Sequence, residues 1–294
     1  MAVINVENLS KSYGKIRAVI NASFSVDAGE IVGFIGPNGS GKTTALKTIL
    51  DLLKPDSGHI SICGHTMPKE RVKAFRHIAC WIDISNLYYD LTARDHIDFV
   101  MKTRGVPKKT VDKYLDLLDV RNFMDLKVRK YSYGMKQRLG LTLATMTEPE
   151  LLIIDEPTNG LDPFGIVSFR EVLRALSVEH NTAIFFSSHS LSELEKLIDR
   201  AIFIKKGEIV QTDGHSKNNV YFLRVTDSKA TYELLRQNDI VAAVHENDEI
   251  SFSGAATVSD VLSLLYGENL KVLDMYRKES DLEALFHSIF WEGE

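Results

Sequence analysis

Hydrophobic residues in this chain fall into short blocks that predict alternating strands and helices. The segments 30–35, 151–154 and 182–188 are almost continuously apolar, as expected of strands that are buried on both faces of a sheet. Apolar residues recur at intervals of three and four from position 45 to position 53, which is typical of a helix. The alternation predicts an α/β fold around a mostly parallel sheet.

Other regions within the first 215 residues follow different patterns. Apolar positions within 4–9 and 19–26 predict a short antiparallel sheet ahead of position 30. From about position 95 to position 143 the apolar spacing is helical, which predicts a helical subdomain. The segment 201–210 predicts a hairpin that turns near Gly207.

A polar stretch at 215–219 precedes a smaller C-terminal part of the chain. Patterning there predicts elements in the order β-α-β-β-α-β, followed by a last amphipathic helix at 282–290. This order resembles a ferredoxin-like α+β unit, and the part has neither a phosphate loop nor metal-ligand spacing. We therefore predict two domains, 1–215 and 220–294, and expect the second to have an accessory or dimerisation role.

Composition argues against several classes of protein. The chain has 294 residues, a formal net charge of −5 and no long cluster of Lys and Arg, so nucleic acid is not expected as its main partner. No apolar run approaches the roughly 20 residues of a membrane span, and the N-terminus lacks a signal-peptide pattern. The two cysteines, Cys63 and Cys80, are expected to be small buried residues in a reducing compartment. These features favour a cytosolic protein.

Residues 36–43 read Gly-Pro-Asn-Gly-Ser-Gly-Lys-Thr and match every fixed position of the phosphate-loop motif. The glycines let backbone N–H groups point at a polyphosphate, while Lys42 contacts phosphates and the Thr43 hydroxyl ligates Mg²⁺. A chance glycine-rich turn is the alternative, but here a predicted strand and a predicted helix flank the motif. We predict a nucleoside triphosphate site that includes Gly36, Pro37, Asn38, Gly39, Ser40, Gly41, Lys42, Thr43 and Thr44.

Two carboxylates and a histidine follow the later buried strands. Asp155 and Glu156 end the apolar segment 151–154, so they are expected at the edge of the sheet where the phosphates bind. Asp155 can hold Mg²⁺ through water, and Glu156 can polarise a water molecule for attack on the γ-phosphate. His189 follows the segment 182–188 and can donate a hydrogen bond to the γ-phosphate. A histidine at a strand end is often only a surface residue, but this β/α order favours a functional role.

The order of the motifs resembles the nucleotide-binding subunits of ATP-binding-cassette (ABC) transporters over about residues 1–215. Besides the residues above, the resemblance rests on Tyr13 in Lys-Ser-Tyr-Gly, the segment 131–138, which is similar to the family signature, and Asn-Gly-Leu-Asp at 159–162. It implies a P-loop ATPase core with an antiparallel β subdomain and a helical subdomain. It also implies ATP as the nucleotide, Mg²⁺ as the metal, adenine stacked on Tyr13, and His189 as the switch histidine.

The resemblance further implies that two ATP-binding subunits share each site, as a homodimer or a paralogous heterodimer. Ser132 and Gly134 match the signature positions that contact ATP held by a second subunit, and Asp162 matches the loop that crosses the dimer interface. Ser132 also precedes an apolar-periodic helix, whose N-terminal N–H groups favour an anion.

Two departures from the family pattern narrow the resemblance. The usual signature Leu-Ser-Gly-Gly-Gln reads Tyr-Ser-Tyr-Gly-Met at 131–135, where Tyr133 needs more room than glycine. The usual glutamine of the following loop is replaced by Asp83, which could bind Mg²⁺ directly or through water, or serve coupling to a membrane subunit. Both features resemble the bacteriocin-immunity and peptide- or drug-export branch. Drift within a general exporter is the alternative.

We therefore predict an ATPase that powers export of a peptide, bacteriocin or drug through separate transmembrane permease subunits. It would be cytoplasmic and peripheral on the inner face of the membrane, where the family analogy makes 87–91 face the permease. The two tyrosines of this segment could equally pack in the core. A soluble cassette ATPase of assembly or repair is the alternative function, although the chain has no long coiled-coil insertion and one phosphate loop. A non-hydrolysing regulator would lack the carboxylate of Glu156.

Overall fold

The computed structural model divides the chain into two compact units, residues 1–214 and 215–294. The residues that it describes are 2–82, 86–189, 197–211, 220–238, 240–245, 249–253, 257–268, 270–278 and 289–290. Asp83 and the polar stretch 215–219 lie outside the described residues. Of the predicted helix at 282–290, residues 289 and 290 are described, and both are helical.

The first unit alternates strands and helices as its patterning predicts. Its strands are β1 (Ala2–Tyr13), β2 (Ile16–Asp27), β3 (Ile31–Ile35), β4 (Ser57–Ile62), β5 (His65–Thr66), β6 (Ile78–Trp81), β7 (Leu151–Asp155), β8 (Ala183–Ser188), β9 (Arg200–Lys205) and β10 (Glu208–Gln211). Its helices are α1 (Lys42–Ile49), α2 (Arg71–Ala74), α3 (Ala93–Arg104), α4 (Lys108–Leu117), α5 (Tyr133–Thr145) and α6 (Pro163–His180).

The central sheet of this unit has six strands in the order β10-β9-β3-β8-β7-β6. Strands β9, β3, β8, β7 and β6 are parallel, and β10 pairs with β9 in the predicted antiparallel hairpin. Ile35 lies opposite Ser188, and Asp155 lies opposite Ser187. Because parallel strands end at one edge, the phosphate loop after β3 meets the carboxylates at the end of β7 and His189 after β8.

A second, antiparallel sheet has the order β2-β1-β4-β5. The two strands that the sequence predicts here, β1 and β2, have 12 residues each, and β4 and β5 extend the sheet beyond the prediction. Three phenylalanines join the two sheets, since the ring centroids of Phe24, Phe34 and Phe185 lie 5.2 to 5.8 Å apart. This shared core fixes the β1–β2 hairpin, which carries Tyr13, beside the phosphate loop.

The helical region between β6 and β7 is built from α3, α4 and α5. Thr92 and Asp95 form a capping box at the start of α3, and Ser132 caps α5 by accepting a hydrogen bond from the Met135 N–H group. The helix α5 packs against β6, because Trp81 lies against Gly140, where a Cβ atom would come within 2.1 Å of the indole.

The second unit is an antiparallel sheet with helices. Its elements are β11 (Val220–Val225), α7 (Ser228–Gln237), β12 (Val241–Val244), β13 (Glu249–Ser253), α8 (Val258–Gly267) and β14 (Val272–Lys278). The strand order is β12-β13-β11-β14. Its core consists of Leu223, Val225, Leu235, Ile250, Phe252, Val261 and Leu265. The unit therefore has a hydrophobic core of its own.

The prediction of two buried cysteines is wrong. Cys80, in the edge strand β6 of the central sheet, is exposed, and Cys63 is half-buried. Burial and the nearby Glu150 carboxylate raise the pKa of Cys63 to about 11, so this thiol is protonated at neutral pH.

None of the helices in the described parts of the chain is long and apolar enough to cross a membrane.

Candidate functional site

The phosphate loop lies in a space that only glycine can fill at two positions. A Cβ atom on Gly36 would lie 2.3 Å from the carbonyl oxygen of Ile204 in β9. A Cβ atom on Gly41, which has a φ of +109°, would lie 2.1 Å from the carbonyl oxygen of Ala18 in β2. The loop is therefore packed closely against two strands that lie outside the motif, β2 and β9.

Two polar side chains of the loop are suited to phosphate. The Lys42 side chain is 5% exposed, and its Nζ donates hydrogen bonds to the carbonyl oxygens of Gly36 at 2.7 Å and Pro37 at 3.2 Å. The Ser40 hydroxyl is buried without a hydrogen-bond partner among the described residues. An unpaired buried hydroxyl is unfavourable, and a phosphate oxygen would satisfy it. The loop therefore fits a polyphosphate.

The predicted metal ligands Thr43 and Asp155 lie in direct contact. The Thr43 hydroxyl donates to Oδ2 of Asp155 at 2.8 Å, and Ser187 donates a short hydrogen bond to Oδ1 of the same carboxylate. A hydroxyl and a carboxylate are hard oxygen ligands of the kind that Mg²⁺ accepts. Ser187, which the sequence analysis did not single out, fixes the orientation of this carboxylate. The residues present fit a magnesium ion.

Glu156 lies at the centre of the site. Its backbone has a φ of +47°, an unfavourable conformation for a non-glycine residue, and its N–H group bonds to the carbonyl oxygen of Ser187 at 3.2 Å and to the hydroxyl of Ser187 at 3.0 Å. The side chain is held from two sides, because His189 Nδ1 donates to Oε2 at 2.7 Å and Lys42 Nζ lies 3.5 Å from Oε1. The structure thus brings the predicted base, histidine and phosphate-loop lysine together.

These groups open into a cleft of about 600 Å³. Tyr13, with 47% of its surface exposed, stands at the cleft, and Nζ of Lys11 lies 5.7 Å from its ring centroid. The cleft is lined by Tyr13, Ile16, Arg17, Ala18, Asn38, Gly39, Gly41, Lys42, Thr43, Thr44, Glu156, Asn159, His189 and Lys206. The cleft therefore contains an aromatic side chain, Tyr13, together with the phosphate loop and the Glu156 carboxylate.

Arg17 and Lys206 add two cationic residues to this cleft that the sequence analysis missed. Lys206 lies in the β9–β10 turn, and the adjacent Gly207 N–H group donates to the carbonyl oxygen of Ser40 at 2.9 Å. This contact between distant segments is tertiary, so no local sequence signal could have revealed it. Both residues add positive potential near a polyanionic ligand.

Ser132, Gly134 and Asp162 line a second cleft of about 470 Å³, which shares no described residue with the first. The room that Tyr133 needs is provided by Gly160, because a Cβ atom on Gly160 would lie 2.1 Å from Cδ1 of the Tyr133 ring. Asp162 accepts hydrogen bonds from the Gly165 N–H group at 2.6 Å and from Arg138 Nη2 at 3.1 Å. One chain thus presents two separate groups of predicted nucleotide contacts.

A third, apolar groove of about 410 Å³ lies between β6, α3 and α5. Tyr88 and Phe99 line it, and they are 68% and 66% exposed. In the segment 87–91, Leu87 packs in the core. Tyr88 and Tyr89 are exposed, so the two tyrosines do not pack in the core. The groove therefore combines an apolar lining with exposed aromatic residues.

Comparison with known proteins identifies the relatives of this chain. Residues 19–159 match the family model described as ABC transporter. The bacitracin transport ATP-binding protein of Bacillus licheniformis is 35% identical over 99% of this chain and 98% of its own length. The lantibiotic transport ATP-binding protein of Streptococcus pyogenes is 38% identical over 71% of this chain and 89% of its own.

A solved structure supports the same relationship. It is a dimeric ATP-binding cassette in a post-hydrolysis state, bound to ADP and phosphate. It superposes with a TM-score of 0.64 at 26% identity, over 72% of this chain and 98% of that chain. On its sequence, its fold and the residues gathered at the phosphate loop, this chain belongs to the ABC transporter family, among its ATP-binding subunits.

Proposed function

We propose that the chain is the ATP-hydrolysing subunit of an ABC exporter, which moves a peptide, bacteriocin or drug through separate membrane subunits. The observation that carries this proposal is the contact of Glu156 with both His189, at 2.7 Å, and Lys42, at 3.5 Å. A carboxylate, a hydrogen-bond donor and a phosphate-binding cation are the groups that attack of water on a γ-phosphate requires.

Nucleotide binding is assigned to the first cleft. Backbone N–H groups of the loop, the Lys42 ammonium and the Ser40 hydroxyl bind the phosphates, while Tyr13 stacks on the base. Thr43 and Asp155 hold Mg²⁺, which when bound neutralises charge on the phosphates. Support comes from the 2.8 Å contact between these two side chains and from the unpaired Ser40 hydroxyl.

Catalysis is assigned to Glu156 and His189. The Glu156 carboxylate holds the attacking water by a hydrogen bond, with the water oxygen in line with the γ-phosphate. It accepts a proton from this water as the oxygen attacks. With both ring nitrogens protonated, His189 orients that carboxylate through Nδ1 and donates a hydrogen bond through Nε2 to the γ-phosphate region. Lys42 stabilises the negative charge on the oxygens of the phosphoryl group that is transferred to water.

Hydrolysis requires a second ATP-binding subunit, either another copy or a paralogue. Ser132 and Gly134 lie in the second cleft, and the Ser132-capped start of α5 presents N–H groups there. In the proposed dimer, these N–H groups contact the γ-phosphate of ATP held by the other subunit, and the loop of Asp162 crosses the interface.

The permease partner is assigned to the apolar groove beside Tyr88 and Phe99. Exposed aromatic residues around an apolar groove are typical of a protein interface. Docking there makes the protein peripheral on the inner face of the membrane. A soluble ATPase of assembly or repair is the alternative, and the proteins that co-purify with the chain from membranes separate the two.

The class of exported substrate is assigned from the relatives that transport bacitracin and a lantibiotic. In cells that carry this chain, its deletion should lower the inhibitory concentration of at least one peptide antibiotic, tested with bacitracin and a lantibiotic. Wild-type chain should restore resistance, and the Glu156→Gln variant should not. Unchanged resistance to both peptides would contradict this substrate class.

The domain assignment is 1–215 for the ATPase and 220–294 for an accessory or dimerisation domain. The second unit runs β-α-β-β-α-β, and its strand order β12-β13-β11-β14 supports a ferredoxin-like assignment.

Replacement of Tyr13 by alanine should weaken ATP and GTP binding to similar degrees. Base–aromatic stacking contributes about 1–3 kcal/mol and depends little on the base, so both affinities should fall roughly 5- to 150-fold. Titration with fluorescent ATP and GTP analogues measures this, and Tyr13→Phe is the matched control that keeps the ring. Equal affinity in the wild-type chain and the alanine variant would return Tyr13 to a structural role.

Replacement of Asp83 by alanine tests its metal assignment. If the carboxylate belongs to the metal site, Asp83→Ala should raise the Mg²⁺ concentration for half-maximal ATPase activity, since a hard cation loses an anionic oxygen. Asp83→Gln should retain more activity than alanine. If Asp83 couples to the permease, ATPase activity of the isolated chain should stay unchanged while transport falls. With neither change, Asp83 is a passive loop residue.

A further inference from the structure

A buried polar chain connects three segments around Glu156. The Trp81 indole Nε1–H donates to Oε1 of Gln137 at 3.0 Å, and Nε2 of Gln137 donates to the carbonyl oxygen of Pro157 at 3.0 Å. The Gln137 residue is 2% exposed and Trp81 is 6% exposed. Trp81 ends β6, Gln137 lies in α5, and Pro157 directly follows Glu156. The Gln137 side-chain amide therefore bonds to β6 through its oxygen and to the turn after Glu156 through its NH₂ group.

The orientation of the Gln137 amide is fixed by Trp81. The indole can only donate, so it selects the carbonyl oxygen of the amide and leaves the NH₂ group to face Pro157. The indole packs directly against α5 at Gly140, where the glycine has no side chain in the space that the ring occupies. With the reversed amide, two donors would face each other at Trp81 and two acceptors at Pro157.

The turn that receives this hydrogen bond is the one that shapes the catalytic carboxylate. Glu156 has a φ of +47°, which is unfavourable for a residue with a Cβ atom and persists where surrounding contacts enforce it. Its N–H group is bound from the side of β8 by Ser187. From the side of α5, Gln137 donates to the carbonyl oxygen of Pro157, the residue after Glu156. The turn is thus clamped between the central sheet and the helix.

The same helix holds the rest of the loop that follows Glu156. Tyr133 packs on Gly160, and Arg138 binds Asp162 at 3.1 Å. Among these three contacts, that of Gln137 is the one adjacent to Glu156, and it is also the most buried.

We propose that Gln137, oriented by the Trp81 indole, is a positioning residue for the Glu156 carboxylate in ATP hydrolysis. Gln137 does not touch the nucleotide cleft, so it acts on catalysis through the turn at Glu156 and leaves ATP binding unchanged. This inference rests on the catalytic role of Glu156 in the proposed function.

The test is steady-state ATPase kinetics of the full chain. Gln137→Met keeps the length of the side chain and removes both hydrogen bonds; kcat should fall about tenfold, since small displacements of a catalytic group lower rates strongly, while KM for ATP stays within about twofold. Trp81→Phe keeps a ring against Gly140 and removes only the indole donor, so kcat should fall less. Adding Trp81→Phe to Gln137→Met should cause little further loss.

A matched control separates positioning from general damage to α5. Thr145 is fully buried in the same helix, and its hydroxyl donates to the Leu141 carbonyl oxygen at 2.8 Å, within the helix itself. Thr145→Val should lower the melting temperature and leave kcat unchanged. If it lowers kcat as much as Gln137→Met does, or if Gln137→Met leaves kcat unchanged, the positioning role is wrong.

A double variant shows whether the effect passes through Glu156. In single-turnover assays with labelled ATP, Gln137→Met should slow the wild-type chain but not the Glu156→Gln chain, because the carboxylate that it positions is already gone. Equal slowing in both backgrounds would overturn the inference while leaving the role of Glu156 intact. Wild-type turnover by Glu156→Gln alone would instead overturn the proposed function.

Discussion

Glu156→Gln should retain ATP binding and lose most hydrolysis. The amide keeps the shape of the side chain and can still accept the hydrogen bond of His189, but it cannot take a proton from water. Loss of a general base typically lowers the rate about 10²- to 10⁴-fold. Phosphate release assays measure the rate, and a fluorescent nucleotide measures affinity.

A carboxylate at the opposite end of β7 provides the control for this variant. Glu150 is exposed near the start of β7 and binds His77 at 2.7 Å, away from the nucleotide cleft. Glu150→Gln should therefore hydrolyse ATP like the wild-type chain. Because ATP stays bound, Glu156→Gln should also accumulate as an ATP-dependent dimer in size-exclusion chromatography. Near wild-type turnover of Glu156→Gln would remove Glu156 from its catalytic role.

Lys42→Ala should abolish tight nucleotide binding. The ammonium is the cation that the phosphate loop itself supplies, and each charge-assisted hydrogen bond contributes about 1.5–3 kcal/mol. Loss of two such bonds to the β- and γ-phosphates lowers affinity about 100-fold or more. Titration with a fluorescent ATP analogue measures the affinity.

Removal of Lys42 also leaves Glu156 without its cation, so folding must be checked separately. Lys42→Met keeps most of the apolar stem and should show the same loss of affinity. Lys47→Ala, at the other end of α1, is the control and should bind normally. If Lys42→Ala and Lys42→Met melt like the wild-type chain and still bind ATP tightly, the phosphate site is assigned wrongly.

The parts of the site that the sequence predicts are those with a local signal. Gly36, Lys42 and Thr43 belong to one contiguous motif, and Asp155 and His189 follow apolar strands whose ends meet at one edge of the parallel sheet. The strand–loop–helix pattern fixes these positions without long-range information.

The residues that the sequence does not predict depend on contacts between distant segments. Ser187 binds Asp155 across neighbouring strands, and Lys206 reaches the nucleotide cleft because its hairpin is bonded to the phosphate loop. The pair Trp81 and Gln137 is separated by 56 positions. None of these side chains belongs to a local sequence motif for phosphate or metal. The packing of the strands and helices brings each of them close to the nucleotide cleft or to the turn at Glu156.

The fit of Tyr133 in the signature is another such case. From the sequence, a tyrosine replaces a glycine and needs extra room. In the structure, Gly160 supplies that room from a loop 27 positions later, because the glycine has no side chain where the ring lies. A compensating pair of this kind becomes visible only when α5 and the loop before α6 are placed together.

The most direct test of the central claim is affinity purification of the full chain from detergent-solubilised membranes of cells that produce it. We predict that the chain retains multi-span membrane proteins and that Phe99→Asp, which places a charge in the apolar groove, loses them while still binding ATP. Mass spectrometry identifies the partners. Recovery of the wild-type chain with assembly or repair proteins and without any membrane protein would contradict the assignment as an exporter subunit.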